Sequence, residues 1–302
     1  TCTKTRAVMA TPRALIGMVV CVAACSFSPA GGAGGGDDPD ADSDPSVDAG
    51  PRDPDARRVD AVPGQPDATP AQECSARVTG GLVACVEFED DLGDGSVEDR
   101  GPQSMQIPST GLTPTVRASS PAAQVSATAT TFVAQNPAIE LAGGFTLAAW
   151  VRVDGPLSTG GHGVIDHDLQ YAMFVERPAS VDQIGCYIHD AGNWYGMSTT
   201  LTSAGTWQLL VCTWAPPAAG QPGQVCAHRL AGTSNVVSSC GSHANNLTAG
   251  RGGVALGHNN VNGVPSATGR VPGAIDDVWI YDRPLSKAEV CSLASLSSTC
   301  LD

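Results

Sequence analysis

Basic residues are scarce in this chain: 302 residues carry 16 Lys and Arg against 30 Asp and Glu, a formal net charge of −14. A surface this acidic repels phosphate backbones, so nucleic acid is excluded as a partner class. Aromatic residues are few, at 5%. Cys-x-x-Cys pairs are missing, which argues against zinc ribbons and thioredoxin-like redox chemistry. Ser, His and Asp are scattered throughout, but no Gly-x-Ser-x-Gly elbow accompanies them, so a hydrolase triad has no seat. The apolar run from Ala14 to Ala24 is too short to span a bilayer, which takes roughly 20 apolar residues.

What the chain does have begins with that run. Arg6 and Arg13 precede it, giving the layout of a signal peptide; Met9 would be a natural start, which would make residues 1–8 a gene-model extension. Its end, Val22-Ala23-Ala24-Cys25, resembles a bacterial lipobox. The resemblance implies cleavage before Cys25 and acylation of that cysteine, and several acyl chains on one residue anchor stably. Ser26 resembles the class that is passed on to the outer membrane. The alternative is an ordinary secretory site with a soluble product. The expectation is therefore an exported protein, lipid-anchored to the outer membrane or cell surface, or periplasmic or secreted where the lipobox is unused. Contact with the membrane is through the lipid anchor only.

Residues 26–73 are rich in Gly, Pro and Asp and nearly free of aliphatic and aromatic side chains. Such a segment cannot bury enough apolar area to offset the entropy of ordering. Its prolines and like charges stretch it, at about 3.1 Å per residue, to a reach on the order of 100 Å. The Asp-rich run lacks the Gly placement and the Glu of an EF-hand loop, leaving weak ion-atmosphere binding. The expected organisation is a signal peptide over 1–25, a disordered tether over 26–73 and one domain over 74–302.

From Cys74 onward, short runs rich in Val, Ile, Thr, Trp and Leu are separated by Gly, Pro, Asn and Ser. Strands are expected over residues 81–89, 145–153, 163–166, 171–176, 183–189, 207–214, 224–230, 236–240 and 274–281. Strands at this spacing without alternating helices indicate an all-β antiparallel sandwich. One short C-terminal helix is expected where Ser286-Lys287-Ala288-Glu289 forms a capping box ahead of Val290, Leu293 and Leu296, its apolar stripe docked on the sandwich. Eight of the 11 cysteines lie in this domain: Cys74, Cys85, Cys186, Cys212, Cys226, Cys240, Cys291 and Cys300. An even set behind an export signal reads as disulfides made in an oxidising compartment.

Four segments carry a family resemblance. Ile275-Asp276-Asp277-Val278-Trp279-Ile280-Tyr281-Asp282-Arg283-Pro284-Leu285 resembles the closing strand of laminin-G-like jelly rolls, the concanavalin A-like lectin/glucanase superfamily. The opening strand, around Gly81–Glu89, the Phe145–Val151 segment and the Trp207–Trp214 segment resemble three others, in the family's order. The resemblance implies a jelly roll whose first and last strands pair. Trp279 stands where the family usually has a surface Arg, and Gly232-Thr233 where it has an Asp-Gly turn. Cys226 and Cys240 are placed symmetrically about the turn near Thr233 and can face each other across a hairpin. The family sheet implies a Cys186–Cys212 bond between neighbouring strands, and Cys74 and Cys85 meeting Cys291 and Cys300, with the partners left open.

Alternation places Asp276 on the side of Val278 and Ile280, the core face, where a carboxylate is costly unless paired or metal-bound. Relatives of this fold often hold calcium between the first and last strands. Carried over, Glu89, Asp99 and Asp276 would bind a structural calcium with carbonyls of the 90–96 loop. Otherwise Asp276 accepts backbone N–H bonds and the loop acids are solvated.

Glu87 and Glu89 are the carboxylate pair to weigh for glycoside hydrolysis, but they sit on the opening strand and no Glu-x-Asp-x-x-Glu pattern occurs, so no enzyme activity is expected. His162, Asp166, His167 and Asp168 read as solvated polar residues. Trp150 and Trp207 read as core. Asn193, Trp194 and Tyr195, in a Gly-flanked loop, can stack a sugar ring; His258, Asn259, Asn260 and Asn262 form a weaker rim group. The function expected is non-catalytic binding of a glycan or a surface protein, with a structural or adhesive role as the alternative.

Overall fold

The computed structural model describes residues 77–301 except 90, 91, 203, 233–235, 267 and 297–299. The residues read as signal peptide, with Cys25, those read as tether, and Cys74 lie outside the described residues.

The strands are β1 (Leu82–Val86), β2 (Ser96–Glu98), β3 (Gln106–Arg117), β4 (Ser120–Val133), β5 (Phe145–Val153), β6 (Gly161–His167), β7 (Tyr171–Glu176) and β8 (Gln183–Asp190), followed by β9 (Asn193–Thr200), β10 (Trp207–Ala215), β11 (Gly223–Leu230), β12 (Val236–His243), β13 (Val254–Leu256), β14 (Asn260–Val261), β15 (Val264–Pro265) and β16 (Gly273–Tyr281). One helix, α1 (Lys287–Leu293), follows. The strands pair antiparallel throughout, in the order β12-β11-β10-β5-β16-β4-β13-β6-β7-β8-β9, with β14 and β15 a separate hairpin. This is the concanavalin A-like sandwich that the sequence implied.

The long β4 belongs to both layers. Ala123 and Gln124 pair with Ile275 and Ala274 of β16, whereas Phe132 and Val133 pair with Ala255 and Val254 of β13. The β3–β4 hairpin was not expected. Its strands read Gln-Ile-Pro-Ser-Thr-Gly and Ser-Ala-Thr-Ala-Thr-Thr, too short of large apolar side chains to announce themselves, and pairing rather than propensity makes them strands.

The first and last strands do pair: Cys85 opposes Trp279 and Val86 opposes Val278. Phe88 and Val278 share the main core, which lies between the layers with Phe145, Leu147, Met173 and Trp214. Both faces of β16 are buried. On its second face Trp279 and Tyr281 pack with Val290 and Leu293 of α1. The position where relatives carry a surface Arg is thus an interior Trp, because the C-terminal helix covers it. That helix starts as its sequence requires: Ser286 Oγ accepts the Glu289 N–H, and Glu289 accepts the Ser286 N–H at 2.8 Å.

Three disulfides lie wholly among the described residues: Cys186–Cys212, Cys226–Cys240 and Cys291–Cys300. Cys226 and Cys240 face each other across the β11–β12 hairpin, as expected. Cys186 and Cys212 bond as expected but by another route: β8 and β10 lie in opposite layers, so the bond crosses the core. The expectation that Cys85 meets Cys291 or Cys300 is corrected. Those two bond to each other, clasping the chain just after α1; Cys85 is disulfide-bonded with its partner outside the described residues.

A bulge corrects the placement of Asp276. The register between β16 and β5 shifts between Asp276 and Trp279, and Asp277 takes a positive φ of 42°. Ile275 and Val278 therefore both face the core, and Asp276 turns to the opposite face, across from Trp150. There Arg117 donates from Nε to Asp276 at 2.7 Å and from its terminal nitrogen to Asp277, while its guanidinium lies over the Trp150 ring at 4.7 Å. Trp150 and Trp207 are half-buried on this outer face, each under an Arg; the fully buried tryptophans are Trp214 and Trp279.

Candidate functional site

The outer face of β6–β9 carries a cleft of about 290 Å³. Its construction follows from where glycine falls. On β7 and β8, alternation sends Tyr171, Met173, Ile184, Cys186 and Ile188 into the core and Phe174, Glu176, Tyr187 and His189 outward. Tyr187 opposes Gly196 of β9, and Phe174 opposes Gly185 of β8. A Cβ at Gly196 would come within 2.3 Å of the Tyr187 ring, and one at Gly185 within 2.2 Å. The ring therefore lies flat on the sheet in space that only glycine leaves. Phe174 sits beside it, ring centroids 5.8 Å apart. Trp194 forms a wall, 43% exposed, its edge held against His189 at 5.0 Å.

Polar groups ring this floor: Asp166, Asp168, Glu176, Asn259 and Asn260. Glu176 Oε1 accepts the Tyr187 hydroxyl at 2.5 Å and the Gln183 amide at 2.9 Å, which fixes the Tyr ring in its plane. Asn259 is clamped, its Oδ1 accepting the Gly163 N–H at 2.6 Å and its Nδ2 donating to the Gly161 carbonyl at 3.1 Å. Asp166 is 3% exposed and accepts the Asn260 N–H at 2.7 Å. Burial first, and then the Asp168 charge, push the Asp166 carboxyl up to about 7, against the pull of the Asn260 N–H. A flat apolar floor framed by hydrogen-bond acceptors suits a ring with one apolar face and a hydroxyl edge.

Of the expected ligand group, Trp194 alone lines the cleft. These residues belong to strand β9, not a loop, and neighbours on a strand face opposite ways. Tyr195 stacks on His243 at 4.6 Å and donates to the Ser242 carbonyl, and Asn193 is exposed at the turn opposite Asp190. Asn259 and Asn260 of the rim group reach the cleft. His258 is buried against the Thr131 backbone, and Asn262 accepts from Arg251.

The His162–Asp168 stretch divides, and its reading as solvated is corrected for three of the four. Asp166 is buried at the cleft with Asp168 beside it, while His162 bonds the Arg270 carbonyl and fully buried His167 bonds Gln170 and the Gly252 carbonyl. Phe174, Glu176 and Tyr187 were not singled out from the sequence. The alternation of residues 171–176 and 183–189 places them outward together, but which outward face is open is a tertiary matter.

The three acids expected to hold calcium do not form one ligand set among the described residues. Asp99 accepts backbone N–H bonds from Cys85, Gly101 and Met105. Glu89 accepts from Ser120 at 3.1 Å, and Asp276 is taken by Arg117. Glu87, past the end of β1, is paired with Arg100 at 2.8 Å.

Fold and cleft together define a jelly-roll module of the lectin-like type. A family model described as the concanavalin A-like lectin/glucanases superfamily matches residues 126–291, and the chain belongs to that family. Among solved structures it is similar to domain 4 of AbnA, a GH43 extracellular arabinanase from Geobacillus stearothermophilus, in complex with arabinotriose: 16% identity, TM-score 0.51, covering 70% of this chain and 98% of that one. It is also similar to the binding domain of botulinum neurotoxin DC in complex with SialylT, at 10% identity and TM-score 0.51, covering 72% of this chain and 51% of that one. No curated protein sequence matches.

Proposed function

We propose that this chain is a non-catalytic saccharide-binding module displayed at the cell envelope, with the β6–β9 cleft as its binding site. The observation that carries the reading is the Tyr187 ring lying flat between Gly185 and Gly196, beside Phe174 and below the exposed Trp194. An aromatic side chain that serves only to fill space is turned into a core; these present ring surface outward, beside groups that accept hydroxyl protons. Solved complexes of similar folds with arabinotriose and with SialylT support the reading. Catalysis is disfavoured by Glu87 being bound to Arg100. Export and a lipid anchor at Cys25 are supported by the lipobox and by the disulfides, which persist in oxidising compartments. Among the described residues no helix is long and apolar enough to cross a membrane.

The test is a glycan array with the full chain, followed by titration of the best saccharide. Trp194→Ala and Tyr187→Ala are each expected to weaken binding about tenfold or more, as aromatic anchors do. Binding untouched by both would place the site elsewhere. Silence across all saccharides would leave the structural or adhesive role.

A further inference from the structure

The cleft's hydrogen-bonding capacity is lopsided. Its side-chain donors are largely spent inside the protein. The Tyr187 hydroxyl donates to Glu176, Asn259 Nδ2 to the Gly161 carbonyl, and Asn260 Nδ2 to the Gly253 carbonyl at 2.7 Å. The acceptors remain. Asn260 is 5% exposed, and its Oδ1 is buried without a hydrogen-bond partner. Asp166 and Asp168 add two carboxylates beside it, and Glu176 a third at the far end. Among the described residues no Lys, Arg or His side chain lines the cleft; Trp194 adds one neutral indole N–H. Asp168 and Glu176, with Asp166 charged only in part near neutral pH, repel an anion over a half-desolvated floor more strongly than they would in water, because the local dielectric is low. Acidic residues outnumber basic ones among the described residues as well, which acts in the same direction at long range.

From this arrangement we infer that the cleft selects uncharged saccharides and rejects those bearing a carboxylate, such as uronic and sialic acids. The inference rests on the saccharide-binding reading above. Hydroxyl groups both donate and accept, so a neutral sugar can donate hydrogen bonds to the Asp166, Asp168 and Glu176 carboxylates while its C–H face lies on Tyr187. A sugar carboxylate only accepts. It finds no basic partner here and leaves the protein acceptors unpaired, and rejection is strongest where a buried polar group is left unmatched.

The experiment uses matched pairs on the full chain, titrated at low salt: galactose and galacturonate oligomers of equal length, and lactose against sialyllactose. Neutral members are expected to bind at least tenfold tighter than acidic ones. The gap should narrow in high salt and in Asp168→Asn, since screening or removing one charge weakens the repulsion. Equal or tighter binding of the acidic members, lost in Trp194→Ala, would overturn the selectivity while leaving the cleft as the site. Binding of neither class would overturn both.

Discussion

Tyr187 can present its ring face because positions 185 and 196 carry no side chain. At Gly196 an added methyl would meet the Tyr187 ring at 2.3 Å and the Cys186 carbonyl at 2.6 Å. Gly196→Ala is therefore expected to tilt the ring off the sheet and lower stability by about 1–3 kcal/mol. A thermal melt with a saccharide titration checks this: affinity should fall although no contacting residue has changed. Titration at the residue scale runs in two opposed directions. His228 is buried, and desolvation lowers its imidazole to about 4, below the unfolded value of about 6.5. The unfolded chain takes up the proton first, so its share of stability is present above about 6.5 and lost as pH falls toward 4. Asp166, raised to about 7 from an unfolded value of about 3.9, does the reverse, costing stability as pH climbs from about 4 to 7. Chemical denaturation across pH 4–8 should show Asp166→Asn removing a fall in stability between about 4 and 7, and His228→Gln removing an opposed rise between about 4 and 6.5.

At the scale of the element, β16 shows how one extra residue redirects chemistry. Simple alternation assigns Asp276 to the core face; the bulge at Asp277 turns it to the other face, where Arg117 from the β3–β4 hairpin reaches it. The hairpin is part of the sheet through the pairing of β4 with β16, and near its turn this ion pair and the guanidinium on Trp150 fasten it further. Burial and the neighbouring Asp276 charge push the Asp277 carboxyl up, and Arg117 opposes both for the pair. Removing the cation leaves Asp276, fully buried, without its partner. Arg117→Ala should cost about 3–5 kcal/mol in urea unfolding, with part recovered in the Arg117→Ala, Asp276→Asn double variant. A double variant no better than the single would show that packing on Trp150, not charge, is what Arg117 supplies.

Across the whole molecule the two layers are joined by β4, by the shared core and by the Cys186–Cys212 bond, which links β8 under the cleft to β10 of the other layer. A covalent tie across 26 residues of chain acts chiefly on the unfolded state. Replacing both cysteines by serine is expected to lower stability by about 2–4 kcal/mol. Because Cys186 alternates with Tyr187 on β8, the same variant should weaken saccharide binding if the tie steadies the cleft floor. Melting and titration of that variant, beside the Cys226→Ser, Cys240→Ser double variant, distinguish the core tie from the hairpin tie.

The periodicities that depend only on a side chain and its near neighbours were legible in the sequence: strand runs such as Phe145–Val153, the Ser286–Glu289 capping box, the Cys226–Cys240 hairpin pair and the closing strand. Their physics is local, so composition and spacing suffice. What tertiary structure decided depends on partners far along the chain. It put Asp276 opposite Arg117, separated Trp194 from Tyr195, paired Cys291 with Cys300 and opened the β6–β9 face while α1 closed the face of Trp279. Phe174, Tyr187 and Asp166 became one site only when three strands and the Asn259–Asn260 loop met, and no alternation along one strand records what the next strand brings beside it.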